Sequence, residues 1–219
     1  KMGAKIEGAG TSNIKIIGVE KLKDISYNIM PDRIEAGSLL CMVAATGGKA
    51  KLNNLIPEHL VPVINKLEES GCEIQKEKNS IYIEAPKKLK AVDIKTMPYP
   101  GFPTDMQSVF ASMLTTAKGT SVIIENIFEN RFKFMSELNK MGARITIEGK
   151  TAIIKGVRKL YGAKVVSTDL RGGAAMVVAG LVARGRTEVT NIEYILRGYE
   201  KLDEKLRKLG ANITVKEGE

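Results

Sequence analysis

The sequence predicts an α+β fold in which three copies of a β-α-β-α-β-β unit surround a central bundle of three helices, the last copy lacking its final strand. Three observations carry this. Met2-Gly3-Ala4, Ser70-Gly71-Cys72, Met141-Gly142-Ala143 and Leu209-Gly210-Ala211 recur at intervals of 68, 71 and 68 residues, each ahead of a β-rich stretch. A second series, Gly48, Gly119 and Gly185, keeps step with the first, and each glycine is followed by a strand-like run closing on Asn54, Asn126 or Asn191. Two markers phased to one period identify an internal repeat. Finally, the first helix of each unit is more apolar than the second. Ala174 to Ala183 is apolar almost all round, and such a helix must be buried on every side.

The middle unit defines the pattern. Ala91 to Lys95 alternates like a strand, and Met106 to Ala117 carries Met106, Val109, Phe110, Met113 and Leu114 at helical spacing. Thr120 to Glu125 is a second strand. Phe132 to Met141 follows as an amphipathic helix stopped by Gly142, where a left-handed C-cap suits glycine. Arg144 to Ile147 and Ala152 to Ile154 flank the turn Glu148-Gly149-Lys150 as a hairpin.

The earlier unit fills the same six places with 26–30, 34–46, 50–53, 60–70, 73–75 and 81–84. The later one fills five, with 163–166, 170–183, 187–190, 194–209 and 212–215. Residues 1 to 19 form an orphan hairpin from Ala4-Lys5-Ile6 and Asn13 to Ile17, belonging to a preceding unit. The chain therefore reads as a piece of a longer protein, with a terminal remnant at 1–20 and one domain at 21–219.

Composition narrows the function classes. Hydrophobic residues at 43% and charged residues at 27% of 219 are those of a globular protein, not a disordered one. No apolar run approaches the roughly 20 residues of a membrane span. Two cysteines, Cys41 and Cys72, and one histidine, His59, lack zinc-site spacing, so no metal is expected, and the cysteines read as buried apolar side chains. The net charge of +9 implies an anionic partner. Nucleic acid is disfavoured by scattered basic residues, only 5% aromatics and the lack of a recognition motif, whereas a small phosphorylated ligand explains the charge as well.

Each central helix begins beside an aspartate, in Pro31-Asp32-Arg33, Pro103-Thr104-Asp105-Met106 and Ser167-Thr168-Asp169-Leu170. Helix capping is one reading of all three. If the helices run parallel, their N-termini also share one end, where their dipoles favour an anion. Arg33 and Arg171 lie within a turn of their aspartates, and Arg131 and Arg197 follow the second-strand exits of successive units. A guanidinium fork suits carboxylate and phosphate, so these arginines are candidates for anion binding.

Pro31-Asp32-Arg33-Ile34-Glu35-Ala36-Gly37, Tyr99-Pro100-Gly101-Phe102-Pro103-Thr104-Asp105-Met106-Gln107, Ile127-Phe128-Glu129-Asn130-Arg131-Phe132, Thr168-Asp169-Leu170-Arg171 and Arg197-Gly198-Tyr199-Glu200 run in order over nearly the whole chain. In these motifs it resembles the enolpyruvyl transferases, and within them the branch acting on UDP-N-acetylglucosamine. Phe-Pro-Thr-Asp-Met-Gln separates that branch from the shikimate-pathway relative. The resemblance implies an inside-out α/β barrel, or α/β prism, one of two hinged around a cleft, with this chain carrying the C-terminal one. It implies a cytoplasmic enzyme of peptidoglycan precursor synthesis that moves enolpyruvate from phosphoenolpyruvate to the sugar 3-hydroxyl, releasing phosphate, without a cofactor.

By the same resemblance, Asp105 contacts that hydroxyl as the base and Asp169 is a further active-site acid. Ile127 and Phe128 line the UDP-sugar site, and Arg171 and Arg197 face phosphoenolpyruvate; Arg131 joins them by its repeat position. A lysine-asparagine pair and a mobile loop bearing a reactive cysteine or aspartate belong to the family's other half. The chain alone is therefore expected to be inactive, with that N-terminal domain as its partner. The alternatives are a shikimate-pathway enolpyruvyl transferase half, a noncatalytic nucleic-acid-binding domain and a noncatalytic scaffold.

Overall fold

The computed structural model describes residues 1–216, which divide into Lys1–Pro31 and a larger unit beginning at Asp32. In the first, β1 (Lys5–Glu7) and β2 (Lys15–Ile17) pair antiparallel with Lys5 opposite Ile17. The turn is held by Thr11, whose amide and hydroxyl both donate to Gly8 O, at 3.0 and 2.7 Å. This is the orphan hairpin that the sequence predicts. The expected strand at 26–30 does not form. Its residues join no hydrogen-bonded ladder, and Ile29 is 88% exposed. Alternation of side chains does not make a strand without backbone partners.

The larger unit runs α1 (Arg33–Thr46), β3 (Lys49–Asn53), a 3₁₀ turn at Pro57–Leu60, α2 (Val61–Glu69), β4 (Glu73–Glu77) and β5 (Ser80–Glu84). The second repeat follows as β6 (Ile94–Lys95), α3 (Thr104–Leu114), β7 (Thr120–Ile124), α4 (Met135–Lys140), β8 (Arg144–Glu148) and β9 (Thr151–Lys155). The third is β10 (Lys164–Val166), α5 (Leu170–Val182), β11 (Glu188–Thr190), α6 (Glu193–Leu196) and α7 (Leu202–Lys208).

The middle repeat is complete, its sheet ordered β6-β7-β9-β8 with β6 parallel to β7 and the remaining neighbours antiparallel. The first has β3-β5-β4, and the third only the parallel pair β10-β11. The expected strand at 212–215 is absent, and the sheet order explains why. In the middle repeat the third strand, β8, reaches the sheet only through the fourth, β9. Among the described residues the third repeat has no fourth strand, so 212–215 has no ladder to join.

The repeat glycines Gly3, Gly71, Gly142 and Gly210 all stand at φ between +91° and +101°, the left-handed turn that the recurring motif encodes. The second series is shifted in its first member: Gly47, not Gly48, is left-handed and caps α1. The single helix expected at 194–209 is two short ones. Gly198 lies so close to Leu170 that an added Cβ would meet Leu170 Cδ2 at 2.8 Å, and Lys201 at φ +48° turns the chain before α7.

α1, α3 and α5 pack against one another in the core, and their central residues, among them Leu40, Met106, Phe110, Ala174 and Val178, are fully buried. Cross-links show that they run parallel. Arg171 in the first turn of α5 reaches Asp105 in the first turn of α3, and further along both helices Ser112 Oγ donates to Ala175 O at 2.7 Å. Gly37 and Ser38, near the start of α1, contact Met106 of α3. Gly37 lets α1 approach α3, and Gly173 lets the start of α5 approach α6. A Cβ on Gly173 would lie 2.2 Å from Ser167 Oγ and 2.5 Å from Ile195 Cγ1. Gly173→Ala should therefore overpack the start of α5 and cost about 1–3 kcal/mol, seen as a lower urea midpoint with an unchanged m-value.

Candidate functional site at the shared helix starts

The three aspartates are not equivalent. Asp32 caps α1, accepting from the amides of Ile34 and Glu35 at 2.7 and 3.2 Å. Asp169 caps α5, accepting from Arg171 N and Gly172 N at 3.0 and 2.9 Å, while Thr168 Oγ1 donates to its second oxygen at 3.1 Å. In the middle repeat the helix begins two residues earlier relative to its aspartate. Pro103 is the N-cap, without a side-chain cap bond, and Asp105 sits inside the first turn.

The Asp105 carboxylate is thus free of capping and stands between two arginines. Arg131 Nη2 donates to Oδ1 at 2.8 Å and Arg171 Nη2 to Oδ2 at 3.2 Å. The carboxylate side chain is 40% exposed and the two guanidinium side chains only 20% and 12%. Capping therefore explains Asp32 and Asp169 but not Asp105.

Arg171 is held from several directions. Its backbone amide is fixed by Asp169, and its guanidinium lies 5.5 Å from the centroid of the buried Tyr199 ring. The Tyr199 hydroxyl and Ser38 Oγ are 2.8 Å apart, which extends the contact line to α1. Burial opposes the guanidinium charge, but Tyr199 and Asp105 outweigh it and shift its pKa upward. Burial also pushes the Tyr199 hydroxyl above its usual value, against the hydrogen bond from Ser38 and the charge of Arg171. Nε and Nη1 of Arg171, and Nε of Arg131, are buried without a partner among the described residues.

Ile127 and Phe128 follow β7 on an exposed loop, with Arg131 stacked 5.2 Å from the Phe128 ring centroid. The loop borders an open groove of about 860 Å³, lined also by Lys133, Lys150 and Thr168. Asp105, Arg131 and Arg171 therefore form one cluster, with Phe128 stacked against it. Arg197 ends α6 as an exposed residue with no ion pair among the described residues. Arg33 lies over Tyr99 at 5.7 Å, apart from the cluster's contacts.

Sequence reasoning missed Glu125, which it read as a strand end. The carboxylate is 2% exposed and accepts four hydrogen bonds. Its one local signal is an acidic residue closing an apolar strand.

Cys41 and Cys72 are free and buried, and burial is the main cause that raises both thiol pKa values. Both should react slowly with a thiol reagent at pH 8 and rapidly after unfolding, because protonation and access each oppose attack. Asp32→Ala should lower the unfolding free energy by about 1 kcal/mol in a denaturant titration, by loss of a cap.

A family model described as EPSP synthase (3-phosphoshikimate 1-carboxyvinyltransferase) matches residues 1–206. The chain is 56% identical over 213 residues to UDP-N-acetylglucosamine 1-carboxyvinyltransferase 1 of Caldanaerobacter subterraneus subsp. tengcongensis, covering 97% of this chain and 51% of that protein. It is 55% identical to the UDP-N-acetylglucosamine 1-carboxyvinyltransferase of Desulfofundulus thermocisternus, covering 97% and 88%. With that exception, the chain spans about half the length of the relatives it matches. The enolpyruvyl transferase NikO from Streptomyces tendae superposes with a TM-score of 0.84 at 28% identity, over 97% of this chain and 51% of that one. EPSP synthase from Acinetobacter baumannii shares the fold, with a TM-score of 0.77 at 20% identity over 99% and 53%. The inside-out α/β barrel expected from the sequence is the architecture of these proteins. The chain belongs to the enolpyruvyl transferase family, among the UDP-N-acetylglucosamine 1-carboxyvinyltransferases.

Proposed function

We propose that this chain is the C-terminal domain of a UDP-N-acetylglucosamine 1-carboxyvinyltransferase, with residues 21–219 as the barrel and residues 1–20 as the last hairpin of its N-terminal partner domain. The observation that carries the reading is Asp105, the one helix-start aspartate spared from capping, set between Arg131 and Arg171. Identity of 50–56% to relatives bearing that name favours UDP-N-acetylglucosamine over shikimate 3-phosphate as the acceptor.

An alcohol attacks only once a carboxylate within hydrogen-bond reach takes its proton, and Asp105 is exposed enough to meet the sugar 3-hydroxyl. Arg171, with two unpartnered donors, Arg131 and Arg197 supply positive charge for the phosphoenolpyruvate carboxylate and phosphate. Ile127 and Phe128 offer an apolar face beside the same cluster for the nucleotide sugar. Asp169 serves the chemistry through the backbone from which Arg171 projects. Neither cofactor nor metal enters this scheme. A cytoplasmic setting goes with the relatives' substrates, and no helix among the described residues is long and apolar enough to cross a membrane.

Phosphate release from phosphoenolpyruvate tests the proposal. The 219-residue chain alone should show background rates, and its assembly with the N-terminal half should turn over with UDP-N-acetylglucosamine but not with shikimate 3-phosphate. Asp105→Asn in that assembly should lower kcat by about 10²–10⁴-fold. Substantial turnover by the chain alone, or an Asp105→Asn assembly as fast as the unaltered one, would overturn it.

A further inference from the structure

We propose that Glu125 is a positioning residue that locks the Ile127–Phe128 loop to the start of α3, and so fixes the distance between the sugar-nucleotide face and Asp105. The inference rests on the reading above and adds a residue that acts through the backbone of the loop.

Departure from the threefold repeat marks the position. The second strand of each repeat ends at Asn53, Ile124 and Thr190, so the next residue is Asn54, Glu125 or Asn191. Asn54 and Asn191 turn the chain through left-handed backbone, at φ +59° and +56°. The middle repeat instead places a buried carboxylate there. The same repeat is the one whose central helix lacks an aspartate cap, and Glu125 joins the two departures.

Its Oε1 accepts from Thr96 Oγ1 at 2.8 Å, Ile127 N at 2.8 Å and Phe128 N at 3.1 Å. Its Oε2 accepts from Thr104 Oγ1 at 2.9 Å. Thr104 opens α3 immediately before Asp105, and Thr96 follows β6 and accepts from Asn126 N at 2.8 Å. One carboxylate thereby ties together the strand exit, the helix start and both amides of the sugar-facing loop. A buried carboxylate is costly unless its lone pairs are met, and four donors meet these. The bonds cannot be made with the loop elsewhere, so the cost of burying the charge enforces a single loop position.

Because three of the four bonds fall on Oε1, Glu125→Gln can keep them with its carbonyl and turn its amide toward Thr104. Glu125→Ala loses all four. The first measurement is amide exchange on the 219-residue chain, which needs no activity. In Glu125→Ala the Ile127 and Phe128 amides should exchange about tenfold faster while Val122 and Ile123 in β7 keep their protection, and Glu125→Gln should stay near the unaltered chain.

The second is steady-state kinetics of the assembled two-domain enzyme. Glu125→Ala should raise KM for UDP-N-acetylglucosamine about tenfold, leave KM for phosphoenolpyruvate within twofold, and be largely rescued by Glu125→Gln. Unchanged loop exchange in Glu125→Ala overturns the anchoring, as does a uniform loss of protection across β7. Faster loop exchange with both KM values unmoved overturns the role in substrate positioning. An unaltered assembly without turnover overturns the transferase reading instead, and the exchange result still decides whether Glu125 holds the loop.

Discussion

The parallel alignment of α1, α3 and α5 is the constraint on which the rest of the structure depends. Helices buried on all sides cannot satisfy the amides of their first turns with water, so those amides must meet side chains, ligands or one another. Running the three in one direction collects the problem at one end. There the dipoles reinforce a positive potential that favours carboxylates, and the molecule supplies Asp32, Asp105, Asp169 and the Glu35 carboxylate, which pairs with Lys205. Close approach of α1 to α3 comes from Gly37 against Met106, and Gly173 lets the start of α5 pack on Ser167 and on Ile195 of α6. The same small residues that permit packing therefore determine where the charged groups meet.

Symmetry supplies the scaffold, and the middle repeat departs from it. In the first and third repeats the aspartate is consumed by capping, which leaves a neutralised helix start. In the middle repeat the helix begins at Thr104, so Asp105 projects from within the first turn and can hold Arg131 and Arg171 at once. Two cations around one carboxylate leave the cluster with a net positive charge, and the low exposure of both guanidinium groups limits screening by solvent. Line-up of Ser38, Tyr199, Arg171, Asp105 and Arg131 then spans all three helices through direct contacts.

What the sequence reveals and what it hides follow from the range of the interactions. The repeat, the three apolar helices and the capping residues Asp32 and Asp169 are legible because each is encoded within a few residues: a left-handed glycine, an apolar run, an Asp before a helix. The arginines were nameable by phase alone. The strands at 26–30 and 212–215 misled because alternation says nothing about whether a ladder partner exists. The break between α6 and α7 was hidden because it depends on Gly198 meeting Leu170, far away in sequence. Glu125 was illegible for the same reason. Two of its donors, Thr96 and Thr104, lie 29 and 21 residues away, and the other two are backbone amides with no side-chain signature.

The distribution of unmet polar groups distinguishes a working rim from a merely well-capped one. Buried polar atoms are nearly always paired, and each one left without a partner costs about 1–3 kcal/mol. Among the described residues, the buried side-chain atoms without a protein partner are Nε and Nη1 of Arg171, Nε of Arg131, both amide atoms of Gln107, Oγ of Ser108 and Oγ1 of Thr187. All but Thr187 belong to the first five residues of α3, to Arg171 in the first turn of α5, or to Arg131, which reaches Asp105 from the loop after β7. A scaffold selected only for stability would pair or replace such groups, since polar-to-apolar exchange of similar shape is nearly neutral in a core. Under the proposed function, the three guanidinium nitrogens of Arg131 and Arg171 beside Asp105 are the donors that a bound anion would pair.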